Sequence, residues 1–138
     1  MLMRTKLAAL ASTAMVAASL MAGATPADAA GPCGSGYSRV GVYAIPETGA
    51  RVGTLEVHYN SSSNENCALT YGYGSTAGTT TWKSVKIMVA GAGWWADVDA
   101  GNYPQYAGPV YVSAPGKCIT VEAGVKDKSR LLSGVHCG

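Results

Sequence analysis

Polar and apolar residues alternate along much of the chain, and almost nowhere do apolar residues recur at the spacing of a helix face. In Thr54-Leu55-Glu56-Val57-His58-Tyr59 every second residue is apolar, which is the period of a half-buried strand. Leu55, Val57 and Tyr59 are therefore expected to face a core. The same period points Val85, Ile87 and Val89 inward against Ser84 and Lys86, and Ile119, Val121 and Ala123 inward against Thr120 and Glu122. Weaker alternation marks segments 37–44, 67–73, 94–98, 108–112 and 131–137. Between these stretches stand Pro46-Glu47-Thr48-Gly49, Asn60-Ser61-Ser62-Ser63-Asn64, residues 74–80, Gly91-Ala92-Gly93, Ala100-Gly101-Asn102 and Ala114-Pro115-Gly116. These supply the φ freedom and side-chain-to-backbone bonds that chain reversal needs. The pattern predicts an all-β fold, a small antiparallel sandwich or barrel of about seven to eight short strands.

The first thirty residues break this pattern. Arg4 and Lys6 precede an apolar, Ala-rich stretch over 7–23, and Thr25-Pro26-Ala27-Asp28-Ala29-Ala30 closes it with small residues. That is the order of a secretory signal peptide, with Ala27 and Ala29 at the small positions of an A-x-A site. The apolar stretch, interrupted by Ser12, Thr13 and Ser19, is shorter than the roughly 20 residues of a membrane span. Residues 1–30 are thus expected to leave as a leader, and residues 31–138 to form a single secreted β domain without membrane contact.

Export changes the meaning of the cysteines. Cys33, Cys67, Cys118 and Cys137 all lie past the leader, and an oxidising compartment pairs such thiols. Their spacing lacks the close pairs of a zinc site, so two disulfides and no metal are expected. Three connectivities are open; Cys33 with Cys67 and Cys118 with Cys137 is favoured because each pair brackets segments that read as neighbouring antiparallel strands. Loss of Arg4, Lys6 and Asp28 reduces ten basic and eight acidic residues to eight and seven. Such a balance gives no basic patch for nucleic acid.

Candidate chemistry is sparse. His58 and His136 are the two imidazoles, and neither belongs to a nucleophile elbow, a zinc-protease motif or a cysteine dyad. Asp97-Val98-Asp99-Ala100-Gly101-Asn102 has the alternate acids of a calcium loop, but Gly101 and Gly108 stand where further ligands belong, so it reads as a turn. Asp97 and Asp99 on one strand do not make a glycosidase pair, whose carboxylates face each other across a cleft. No enzyme activity and no cofactor are expected. The aromatic residues are eight Tyr and three Trp with no Phe, rings that suit surfaces meeting both apolar groups and water. Trp94 and Trp95, with Tyr103 and Tyr106 in the following loop, form the candidate binding surface. The adjacent tryptophans, if in a strand, point to opposite faces.

Cys33-Gly34-Ser35-Gly36-Tyr37, Tyr59-Asn60 before Asn66-Cys67, Gly101-Asn102-Tyr103 leading to Tyr106-Ala107-Gly108-Pro109-Val110, Gly116-Lys117-Cys118 and His136-Cys137-Gly138 recur in this order across the domain. In this set the chain resembles the spore-associated protein A family of secreted actinomycete proteins. The resemblance implies a small exported β protein found with spores or aerial mycelium, with no catalytic residues to carry over. The expected function is that of a secreted, non-enzymatic protein of the spore or cell surface, its partner the spore, the cell wall or a polysaccharide. Two alternatives accompany it. One is a carbohydrate-binding module using the tryptophans. The other is an inhibitor of extracellular proteases, with loop 44–52 or 99–105 as its reactive segment.

Overall fold

The computed structural model describes residues 30–138; the expected leader, apart from its last residue, lies outside them. Eight strands follow in chain order: β1 (Ser38–Ile45), β2 (Gly53–Asn60), β3 (Glu65–Gly72), β4 (Thr81–Val89), β5 (Asp97–Tyr103), β6 (Tyr106–Ser113), β7 (Ile119–Val125) and β8 (Lys128–Val135). They build two four-stranded antiparallel sheets, ordered β1-β2-β3-β6 and β5-β4-β7-β8. Leu55, Val57, Ala68 and Val110 of the first sheet meet Val85, Ile87, Val121 and Ala123 of the second in one buried cluster. The fold is therefore an all-β sandwich, with disulfides joining Cys33 to Cys67 and Cys118 to Cys137.

Three positions depart from the alternation. Thr120, expected outward and exposed, is buried, because a bulge in the β7–β8 register brings the Gly134 amide onto its hydroxyl at 3.4 Å. Tyr59, expected in the core, is only half-buried at the end of β2, where its hydroxyl donates to Asn64 Oδ1 at 2.8 Å. Lys83 shares the inward face of β4 with Val85 and Ile87 and is fully buried. Its ammonium donates to Thr81 Oγ1 at 2.8 Å and to the carbonyls of Tyr103 and Thr79 at 2.7 and 3.1 Å. Three donors meet three acceptors, all neutral, and burial pushes the Lys83 pKa down.

The sandwich is pinned at both open edges by side chains. On one edge, Asp97 Oδ2 accepts the Tyr111 amide at 2.9 Å, and Asp99 accepts the Tyr103 hydroxyl at 2.6 Å and the Gly108 amide at 2.7 Å. These carboxylates of β5 take up backbone donors of β6, a strand of the other sheet. On the opposite edge, Arg130 of β8 donates to the Ala44 carbonyl of β1 at 3.0 Å.

The outer face of the first sheet carries its own small cluster. The Cys33–Cys67 disulfide and Leu69 are buried there, and Tyr37, Tyr71, Tyr106 and Tyr111 cover them. Tyr37 donates to Glu65, and Tyr111 donates to the Cys33 carbonyl at 2.9 Å. Burial raises the pKa of Tyr37, Tyr71 and Tyr111, helped by Glu65 for the first and last and by Glu56 for Tyr71. The bond to Asp99 raises that of Tyr103. Above the ordinary tyrosine value of about 10 the unfolded chain releases phenolic protons that the folded chain still holds. Folded stability from these groups is therefore complete below pH of about 10 and falls as pH rises further. Lys83 acts in the opposite sense, since its burial penalty fades as pH climbs toward its ordinary value of about 10.5. An alkaline titration followed by phenolate absorbance should show these tyrosines ionising together with loss of circular dichroism. Their ionisation at free-tyrosine pH in a chain that stays folded would contradict the contacts described.

Candidate functional site

The outer face of the second sheet gathers what a binding surface needs. On β4 the outward residues are Trp82, Ser84, Lys86 and Met88, since Lys83, Val85 and Ile87 face the core. Register places Asn102, Ala100 and Val98 of β5 beside Trp82, Ser84 and Lys86. On the other side of β4, Gly124 and Glu122 of β7 stand beside Ser84 and Lys86, and Ser129 and Leu131 of β8 continue those rows. A row of small residues, Ala100-Ser84-Gly124-Ser129, thus crosses all four strands, roughly 14 Å at the usual strand spacing.

Larger residues flank this row. Trp82 is 47% exposed on one side. On the other, Lys86 pairs with Glu122 at 2.9 Å and lies 5.3 Å from the Trp95 ring centroid, with exposed Val98 and Leu131 nearby in register. Trp82 and Lys86 are four residues apart on one strand, so their backbones stand about 13 Å apart along it. Trp94, 65% exposed, projects from the same β4–β5 connection. All three tryptophans of the chain belong to this sheet and its connection. Chemically the face offers two aromatic surfaces with hydroxyl, amide, ammonium and carboxylate groups between them.

The four residues expected to form a binding surface are not brought together. Trp94 and Trp95 precede β5 rather than lying in it, because the backbone turns through Gly91 and Gly93, both at positive φ, and re-enters the sheet where the Ala96 amide donates to the Ile87 carbonyl. Tyr103 ends β5 pointing into the sandwich, and Tyr106 opens β6 on the outer face of the first sheet, its ring 5.5 Å from that of Tyr71. Two residues, Pro104 and Gln105, separate these strands, so segment 99–105 is mostly β5 rather than a loop. Segment 44–52 does leave the sheet after Ile45, closed by the Val52 amide donating to the Ile45 carbonyl at 2.7 Å.

The groups with catalytic potential are engaged in the fold. Glu56 bonds both His58 at 3.0 Å and Arg39 at 3.3 Å on the outer face of the first sheet. His136 shares a 2.7 Å hydrogen bond with the Tyr43 hydroxyl, and burial lowers its pKa. Among the described residues no cluster of three or more His, Cys, Asp or Glu side chains is placed to hold a metal ion. Trp82 had a sequence signal, an aromatic residue two places before the alternation of 84–89, which the preceding run of threonines hid.

Spore-associated protein A of Streptomyces coelicolor is 39% identical to this chain over 132 residues, which is 95% of this chain and 80% of the relative. No family model matches the chain. No solved structure matches it.

Proposed function

Because the chain belongs to the spore-associated protein A family, we propose that it is a secreted, non-enzymatic protein that attaches to the spore or cell-wall surface through the outer face of β5-β4-β7-β8. The observation that carries this reading is the exposure of Trp82 on a sheet whose apolar needs are already met on its other face, and of Trp94 in the β4–β5 connection, where Trp95 lies beside Lys86. Exposed aromatic residues on one sheet and its connection mark an interaction surface rather than a core. Polar groups between the rings favour a hydroxyl-rich partner over a purely apolar one, and polysaccharide is the partner class that fits. Export is supported by the leader-like residues 1–30 and by both disulfides. The non-enzymatic reading is supported by the structural engagement of Asp97, Asp99, Glu56 and both histidines.

The test is sedimentation of the purified protein with washed spores, vegetative hyphae, peptidoglycan, chitin and cellulose at increasing salt. Retention on at least one material should survive salt and weaken about ten- to thirtyfold in Trp82→Ala, as expected for an aromatic anchor at an interface. Failure to sediment with any of them, or retention indifferent to every tryptophan substitution, would remove this face from consideration.

A further inference from the structure

At the end of the sandwich where β1 and β2 approach the C-terminal segment, a cleft of about 200 Å³ is lined by Val40, Tyr59, Asn66, His136, Cys137 and Gly138. Its walls are fixed. The C-terminal wall is held by the Cys118–Cys137 disulfide, by the Gly138 amide donating to the Lys117 carbonyl at 3.4 Å, and by the Tyr43–His136 hydrogen bond. Gly41 leaves room for that last pair, since a Cβ there would lie 2.9 Å from His136 Nε2. Tyr59 is steadied by its bond to Asn64.

Asn66 is 2% exposed, and its Oδ1 has no hydrogen-bond partner. A buried acceptor left unpaired costs about 1–3 kcal/mol, and native structures leave few such groups without a reason. No charged side chain lines the cleft among the described residues. Burial holds the His136 imidazole below its ordinary pKa, so it is neutral at pH 7. An anion therefore finds no cation here, whereas a hydroxyl finds an acceptor, and the body of its ring finds Val40 and Tyr59. By bulk volume the space equals roughly six or seven waters, about that of one sugar ring.

We propose that this cleft binds one uncharged, hydroxyl-bearing ring of monosaccharide size, with a ligand hydroxyl donating to Asn66 Oδ1. The site is separate from the tryptophan face and does not depend on it. Methyl glycosides of glucose, N-acetylglucosamine and mannose, titrated into the protein while the Asn66 side-chain amide and His136 ring are followed by NMR, test the assignment. A saturable shift with at least one glycoside is expected, with methyl glucuronide, which carries a carboxylate, binding at least about tenfold more weakly. Asn66→Leu removes the acceptor at nearly constant volume and should abolish the shift of the His136 ring. Val40→Trp, a change at a position 45% exposed that leaves the core intact, should abolish it too by filling the space. Trp82→Ala should leave it unchanged. No saturable shift with any of the three glycosides, equal binding of the glucuronide, or undiminished binding by the folded Val40→Trp protein would overturn the proposal.

Discussion

Replacing Cys33 and Cys67 together with alanine should lower the unfolding free energy by about 4 kcal/mol, the chain-entropy value for a closed loop of this length. The corresponding replacement of Cys118 and Cys137, whose separation is 19 rather than 34, should cost about 3 kcal/mol. The first pair matters more for a further reason. The segment before β1 lies on the outer face of the first sheet, fixed by the disulfide, the Tyr111 bond to the Cys33 carbonyl and the Tyr37–Glu65 bond. Without the covalent link, those bonds must hold Tyr37 and Cys33 over Leu69 alone. Small domains have net stabilities of about 5–15 kcal/mol, so the loss leaves the fold marginal and should lower its melting temperature by roughly 15–30 °C. Calorimetry and urea unfolding of the two double variants check both the size and the order of the effects. A loss below about 1 kcal/mol for the first pair would show that the N-terminal segment contributes little to stability.

Asp99→Ala should be the most damaging single change of a charged residue, at about 2–4 kcal/mol, because it strands two donors that a carboxylate now satisfies. The Tyr103 hydroxyl and the Gly108 amide both point at Asp99. Gly108 cannot be moved to find another acceptor. Its φ is +98°, and a Cβ there would sit 2.7 Å from the Ala68 carbonyl, so the backbone is wedged between the two sheets. Asp99→Asn offers one acceptor for two donors and should cost about half as much. Tyr103→Phe removes one of the donors and should be milder than either. Denaturant unfolding of the three variants, with exchange of the Gly108 amide as a local readout, gives the ranking. Equal stability of Asp99→Ala and the parent protein would mean that the sandwich edge is held by packing alone.

The eight strands could be read from the sequence wherever the inward residues are apolar, as in β2 and β7, because alternation there reflects burial directly. The disulfide pairing is also legible, although Cys33 precedes β1 and reaches β3 across the sheet face rather than joining neighbouring strands. Alternation misleads where polar side chains point inward. Lys83 finds three oxygens, and Asp97 and Asp99 find amides of β6. At these places the polar phase and the buried phase coincide. Binary patterning then assigns β5 too early, shortens β4 and leaves Trp82 outside any strand. The candidate site moved for the same reason. Trp94 and Trp95 are legible as candidate surface residues without a choice between them, but the place of Trp82 on the same face depends on β4 register, and the separation of Tyr103 from Tyr106 depends on a two-residue connection between different sheets.

The disulfides also decide how the molecule bears load. Tension applied at residue 30 passes through Cys33 directly to Cys67 in β3, and tension applied at Gly138 passes through Cys137 to Cys118 beside β7. Strands β1, β2, β7 and β8 sit in closed loops outside this path. Only the stretch from Cys67 to Cys118, fifty-one positions (118 less 67), can be drawn out, to at most about 180 Å when fully extended. A molecule held by one end and dragged by the other would therefore keep four of its strands off the line of force even after its sheets part.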